Sequence, residues 1–293
     1  MRRAFADTTF SIQRDNPEVF VLLGDIGVHS FQKSFAEFPD RTFNIGILEQ
    51  SMMGVAAGLA IAGKIPVVHS IATFLVERAF EQIKVDFGYQ RLRGNLVSVG
   101  ASFDYGMLGS THNCPADVPI LFNIPDIEIV VPGTTEEFKK LYSENFDNQK
   151  CTYFRLSETE NRISIPLSIG EAIKIQDGKD VTVIAIGPVL DLVLQGIRGY
   201  SAEVIYLNTI RPLSAEVFVN NCKSGRLVFV EPFYSGPLFQ SVSGFLSGRN
   251  LRIAQVGISR RFPKNYGTSE EIGSELGLSI EMLRQSIDEV LHE

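Results

Sequence analysis

The sequence predicts an α/β protein of two domains, each a mostly parallel sheet flanked by helices. Three observations carry this expectation. Short apolar runs, bounded by Gly, Pro and Asp, alternate with helical stretches along the whole chain; such runs mark strands buried on both faces. Alternation with helices then implies parallel strands joined by right-handed crossovers. A polar stretch breaks the series in the middle, and the length of 293 residues suits two domains at ~150 residues each.

In chain order, Val19-Phe20-Val21-Leu22-Leu23 stops at Gly24-Asp25, and Val67-Val68-His69-Ser70 precedes a helical pattern from Leu75 to about Tyr89. The runs Leu96–Gly100, Ile127–Val131 and Thr152–Leu156 continue the first series. The stretch Ser157-Glu158-Thr159-Glu160-Asn161-Arg162, then Pro166 and Asp177-Gly178-Lys179-Asp180, reads as a linker. The expected boundaries are a first domain over 1–160, a linker over 161–180 and a second domain over 181–293. Val181–Gly187, Val204–Leu207, Leu227–Val230 and Ile253–Val256 are the second domain's strands, and a last helix runs from an N-cap at Ser279 to Leu291.

Composition narrows the partners. The net charge of −7 argues against nucleic acid and against an anionic membrane surface. The N-terminus has Arg2 and Arg3 but no apolar core behind them, so it does not read as a signal peptide. No run reaches the ~18 apolar residues of a spanning helix. Cys114, Cys151 and Cys222 are odd in number and widely spaced, which suits buried thiols in a reducing compartment rather than disulfides or a metal cage. A cytoplasmic protein is expected.

Ligands of open α/β sheets sit beyond the carboxyl ends of the strands. That rule selects Gly24-Asp25, Ile47 to Gln50, Ser70 to Phe74, Ala101 to His112, and Arg155. Glu49 stands out among these residues. It ends an apolar run, Phe43 to Leu48, and opens a helix of small residues. A carboxyl group there should be buried, and then it pairs with a partner or keeps its proton. The simpler reading is a carboxylate favoured by a helix N-terminus.

The motifs Asn44-Ile45-Gly46-Ile47-Leu48-Glu49-Gln50, Gly54-Val55-Ala56-Ala57-Gly58-Leu59-Ala60, Ala72-Thr73-Phe74-Leu75, Tyr105 to His112, and Thr209-Ile210-Arg211-Pro212-Leu213 together resemble the C-terminal half of transketolase. The resemblance spans nearly the whole chain, and is strongest to the small subunit of the form split over two polypeptides. It implies a pyrimidine-binding domain followed by a transketolase C-terminal domain, with thiamine diphosphate as cofactor. Glu49 would then be the catalytic glutamate that hydrogen-bonds N1′ of the aminopyrimidine, favouring the tautomer whose 4′-nitrogen can accept a proton. Phe74 and Phe80 match aromatic positions around that ring, although either could simply be core. Asp25 matches an acidic residue near the cofactor, or is a turn Asp after Gly. His112 matches a histidine, catalytic and substrate-binding, that contacts the hydroxyl and carbonyl side of the substrate. Arg155 matches an arginine that grips a substrate phosphate, and its alternative is a salt bridge. His29, in a loop where the family varies, is a candidate for a substrate contact particular to this protein.

Several positions depart from the family pattern. Glu77 replaces an aromatic or aliphatic residue, Leu108 an Asp that reads a sugar hydroxyl, Ser110 a Pro, and Asn113 a Gln or His. Glu231 stands in Val230-Glu231-Pro232-Phe233 where a Glu-His pair is usual, a change expected to touch a subunit contact. No Gly-Asp-Gly followed by Asn about twenty-five residues later occurs, so the diphosphate and its Mg²⁺ are expected on a partner, the N-terminal diphosphate-binding subunit. No metal site is expected on this chain, and an α2β2 heterotetramer acting on a sugar phosphate or related molecule follows. The expected activity is transfer of a two-carbon ketol unit to an aldehyde. Two alternatives are the β subunit of a 2-oxo acid dehydrogenase-like or acyloin-forming enzyme, and a non-catalytic partner that kept the fold. Plain nucleotide binding lacks its glycine fingerprint.

Overall fold

The computed structural model describes residues 1–292. The chain opens with α1 (Arg2–Asp15), β1 (Val19–Leu23), α2 (Gln32–Glu37), β2 (Thr42–Asn44), α3 (Glu49–Ile61) and β3 (Ile65–Ile71). A π-helical stretch at Thr73–Arg78 leads through α4 (Phe80–Gln82) into a second π-helical segment, Ile83–Tyr89. Then come β4 (Gly94–Val99), α5 (Asp117–Phe122), β5 (Glu128–Val130), α6 (Thr135–Asn145) and β6 (Cys151–Arg155). The second half holds β7 (Ala172–Gln176), β8 (Val181–Ile186), α7 (Leu190–Gly196), β9 (Ala202–Leu207), β10 (Thr209–Arg211) and α8 (Glu216–Asn220). It closes with β11 (Arg226–Tyr234), α9 (Pro237–Ser243), β12 (Arg252–Ile258), α10 (Ser269–Glu275) and α11 (Ile280–His292), the last capped by Ser279, whose Oγ accepts from Met282 N at 3.2 Å.

The strands form a seven-stranded sheet, β10-β5-β6-β4-β3-β1-β2, and a five-stranded sheet, β12-β11-β8-β9-β7. All neighbours are parallel except the edge strands β10 and β7. Every residue of β3, β4 and β8 is buried, as strands covered by helices on both faces require. All nine strands expected from apolar runs are present. Two features differ from expectation. The stretch read as linker contains β7, whose alternating Ile173-Lys174-Ile175 suits a half-exposed edge. The Thr209–Arg211 motif crosses over, and β10 pairs antiparallel with β5 of the other sheet.

That crossing is secured by Arg211. Its Nε donates to Ile127 O at 2.8 Å, Nη1 to Phe122 O at 3.1 Å, and Nη2 to Ile124 O at 2.7 Å. A cation beside the carbonyls that end α5 also complements the helix dipole. On the same junction Glu137 accepts from Tyr206 Oη and Gly133 N, both at 2.8 Å, and from Ile165 N at 2.9 Å.

Glu231 is wholly buried in the second domain. Its carboxylate accepts from Gly236 N at 2.6 Å and Leu238 N at 3.0 Å, capping the start of α9. Burial pushes this carboxyl from its ordinary 4.5 up to about 7, against the two amides. A carboxyl raised on folding contributes stability below its unfolded value and loses it as the pH rises through the folded value. Relative to Glu231→Gln, the wild type should therefore lose unfolding free energy between about pH 5 and about pH 8. Urea unfolding midpoints at the two pH values check this; a constant difference would refute it.

The cysteines are free and buried, and burial pushes all three thiols up. Among the described residues no helix is long and apolar enough to cross a membrane.

Candidate active site

The order of the first sheet reverses direction at β1: β2 lies on one side of it and β3 on the other. The crevice at the carboxyl ends of β1 and β3 is thus the topological switch point, where such sheets bind ligands. Helix α3 starts beside this crevice. Glu49, Met52, Met53, Ala56 and Ala57 form its buried face, so the helical repeat carries the carboxylate inward with the apolar side chains. Glu49 is fully buried. Ser70 Oγ donates to its Oε1 at 3.3 Å, and Arg78 Nη1 donates to its Oε2 at 2.7 Å. Gly24, at the end of β1, allows this arrangement, because a Cβ there would stand 3.0 Å from Ser70 Oγ. Of the two fates open to a buried carboxyl group, this one takes the partner.

The π-helical stretch Thr73–Arg78 supplies the rest of the cluster. Its wide turn, a form that recurs at functional sites, sets the Arg78 guanidinium 4.3 Å from the centre of the Phe74 ring. His112 meets the same ring edge-on at 5.3 Å, and its Nδ1 lies 2.9 Å from Thr111 Oγ1. Glu49, Ser70, Phe74, Arg78 and His112 therefore form one continuous chain of contacts. The second domain backs the His112 loop. A Cβ at Gly109, where φ is +76°, would stand 2.6 Å from the Tyr266 ring, and Gly106 packs on the carbonyl of Gly267.

The other residues singled out from the sequence make their contacts elsewhere. Phe80 is partly buried and packs against the apolar core. Asp25 is exposed at φ +59°; its amide donates to Asn44 Oδ1 at 3.0 Å, and Asn44 Nδ2 donates back to its Oδ1 at 3.1 Å. This pair fastens the ends of β1 and β2 shortly before Glu49. His29 is exposed, with Nδ1 3.3 Å from Gln32 Nε2. Glu77 turns back to accept from Thr73 Oγ1 at 2.9 Å, and Leu108 is exposed.

Arg155 requires a correction. Its side chain is 1% exposed; Nε donates to Asp117 Oδ2 and Nη2 to Ser102 Oγ, each at 2.7 Å. Phe233 lies under its guanidinium at 5.5 Å. With Nε and Nη2 both engaged inside the protein, the salt-bridge alternative describes its observed partners. Sequence reasoning selected the strand end at Ser70 without giving that residue a role, and missed Arg78 as a member of the cluster. Arg78 follows Phe74 by four residues, a helical spacing, and the argument that Glu49 needs a partner pointed towards a nearby cation.

The sequence pattern described as "Transketolase, pyrimidine binding domain" matches residues 1–163, more than half of the chain. The chain belongs to the transketolase family. It is 35% identical over 295 residues to an uncharacterized 33.6 kDa protein of a fasciation locus in Rhodococcoides fascians, covering 99% of this chain and 95% of that one. It is 29% identical over 301 residues to one of the subunits of the apulose-4-phosphate transketolase of Phocaeicola vulgatus, covering 96% and 94%. A solved structure described as a split gene transketolase, inactive beta4 tetramer, aligns with a TM-score of 0.87 at 27% identity, covering 99% of this chain and 97% of that one. Like the split-form relatives among these, the chain corresponds to a transketolase C-terminal section.

Proposed function

We propose that this chain is the C-terminal subunit of a split transketolase-type enzyme, which moves a two-carbon ketol unit from a ketose phosphate or related donor to an aldehyde. The observation that carries this reading is the fully buried Glu49 carboxylate in the β1/β3 crevice, linked through Arg78 and Phe74 to His112. These residues fit the aminopyrimidine end of thiamine diphosphate: a buried acid for N1′, an aromatic face for the ring, and an imidazole beyond it. When bound, the cofactor's thiazolium supplies the acidic carbon and electron sink that ketol transfer requires. Glu49 holds or releases the proton at N1′. Phe74 orients the ring, and His112 donates to oxygen atoms of the substrate where negative charge develops.

Mg²⁺ and the diphosphate fall to an N-terminal partner subunit in this reading, with the two chains assembling as α2β2. Two features support it. The diphosphate motif is missing from the sequence, and α3 exposes Gly54, Val55, Gly58 and Ile61 beside Ile47 and Leu48, an apolar strip that suits a close-packed subunit contact. The solved relative described as an inactive beta4 tetramer is in keeping with a subunit that needs a different partner.

The test is an assay of the chain alone and of the chain co-purified with its diphosphate-binding subunit. Thiamine-diphosphate-dependent turnover of a ketose phosphate should appear only in the complex. Robust turnover by the isolated polypeptide would defeat the split-site reading. Activity with pyruvate in place of the ketose phosphate would move the chain to the 2-oxo acid branch, which the apolar Leu108 keeps open.

A further inference from the structure

We propose that Arg78 is a place-holder for the cofactor's aminopyrimidine, a side chain that occupies the ring's two anchoring contacts and must swing out for it to bind. This inference rests on reading Glu49 and Phe74 as the aminopyrimidine site. The guanidinium makes the two interactions such a ring would make. It lies over Phe74 at 4.3 Å and donates to Glu49 Oε2 at 2.7 Å. A guanidinium is flat, electron-poor and rich in N–H donors, and so shares its recognition chemistry with a protonated aminopyrimidine. Two flat groups cannot lie over the same face of Phe74 at once, and a ring laid there would meet a carboxylate oxygen already engaged by Arg78.

The arginine is built to leave, whereas its partners are not. Its side chain is 37% exposed against 1% for Glu49. Among the described residues, its guanidinium makes no hydrogen bond other than the one to Glu49. It also ends the π-helical stretch, next to Ala79 at φ −103°, where the regular winding breaks. Glu49, in contrast, is fixed by the buried face of α3 and by Ser70. A buried carboxylate without a partner is strongly destabilising. Arg78 therefore keeps Glu49 satisfied and aimed at the crevice, and exchanging one donor for another spares the carboxylate an unpaired state. The consequence is a threshold on cofactor binding, set by a residue of this chain alone.

Calorimetric titration of thiamine diphosphate with Mg²⁺ into the assembled complex tests the proposal, comparing wild type with Arg78→Met, Arg78→Gln and Arg78→Lys. Removing the competitor should tighten binding about tenfold in the Met and Gln variants, the scale of one charge-assisted contact. The Lys variant, which keeps the charge and loses the flat plate, should fall between them and wild type. Gln gives up the charge and the plate over Phe74 but can still donate a neutral hydrogen bond to Glu49, a weaker hold than the charge-assisted one, so it frees the site at a smaller loss of stability than Met. It keeps the comparison decisive if the Met variant, which leaves the carboxylate unpaired, is less stable. Unchanged or weaker binding in the Gln variant overturns the place-holder role and leaves the functional reading standing. If wild type and all variants fail to bind, the aminopyrimidine reading itself is lost, and this inference with it.

Discussion

Replacing Glu49 by Gln should leave the fold intact and reduce turnover of the assembled enzyme by ~10²-fold or more, the usual scale for a general acid–base group. Gln has nearly the same size: its carbonyl oxygen can accept from Arg78 while its amide donates to the Ser70 hydroxyl, which turns to accept, so the buried face of α3 keeps its packing. What it lacks is an ionisable proton to exchange with N1′. Circular dichroism and steady-state kinetics on the same preparation separate the two effects. Near-normal turnover in a folded Glu49→Gln enzyme would remove this residue from the mechanism.

The second large effect concerns stability. Asp117→Ala should destabilise the protein by ~3–5 kcal/mol, because it leaves the buried Arg155 charge without its partner. Asp117 Oδ2 accepts from both Arg155 Nε and Tyr153 Oη at 2.7 Å, and Tyr153 Oη lies 2.7 Å from Ser98 Oγ. Burial works against the Arg155 charge, yet Asp117 and its neighbours outweigh it and raise the guanidinium's pKa. The double replacement Asp117→Leu with Arg155→Met should cost much less than the single change, since it removes both charges together. Denaturant unfolding measures both variants. If Arg155 instead gripped substrate, Arg155→Met would raise KM while stability stayed near that of the wild type.

Much of the architecture was legible in the chain. Strands buried on both faces leave a signature that does not depend on their neighbours, which is why the runs at Val19–Leu23, Leu96–Val99 and Val181–Ile186 all reappear as strands. Glu49 could be read as buried because an acid that continues an apolar face has few other places to go. Edge strands carry a weaker signal. β7 needs one hydrogen-bonded neighbour and shelter on one face only, so Lys174 and Gln176 disguised it as linker. β10 belongs by sequence to the second half, and joins the first sheet because Arg211 finds four carbonyls there.

The site divides in the same way. Glu49, Phe74 and His112 lie at strand ends, where chain order and the switch-point rule suffice to bring residues into one region. Whether two such residues touch is set by side-chain direction and by what else competes for them. Hence Arg155, equally well placed in the sequence, is spent on Asp117, whereas Arg78 and Ser70 close on Glu49. The amino-acid order alone determined the α/β class, the family resemblance and the burial of Glu49. Tertiary structure decided the partners of each charge, because a buried ion takes whichever counter-charge the packing brings within about 3 Å, and linear order carries no record of that distance.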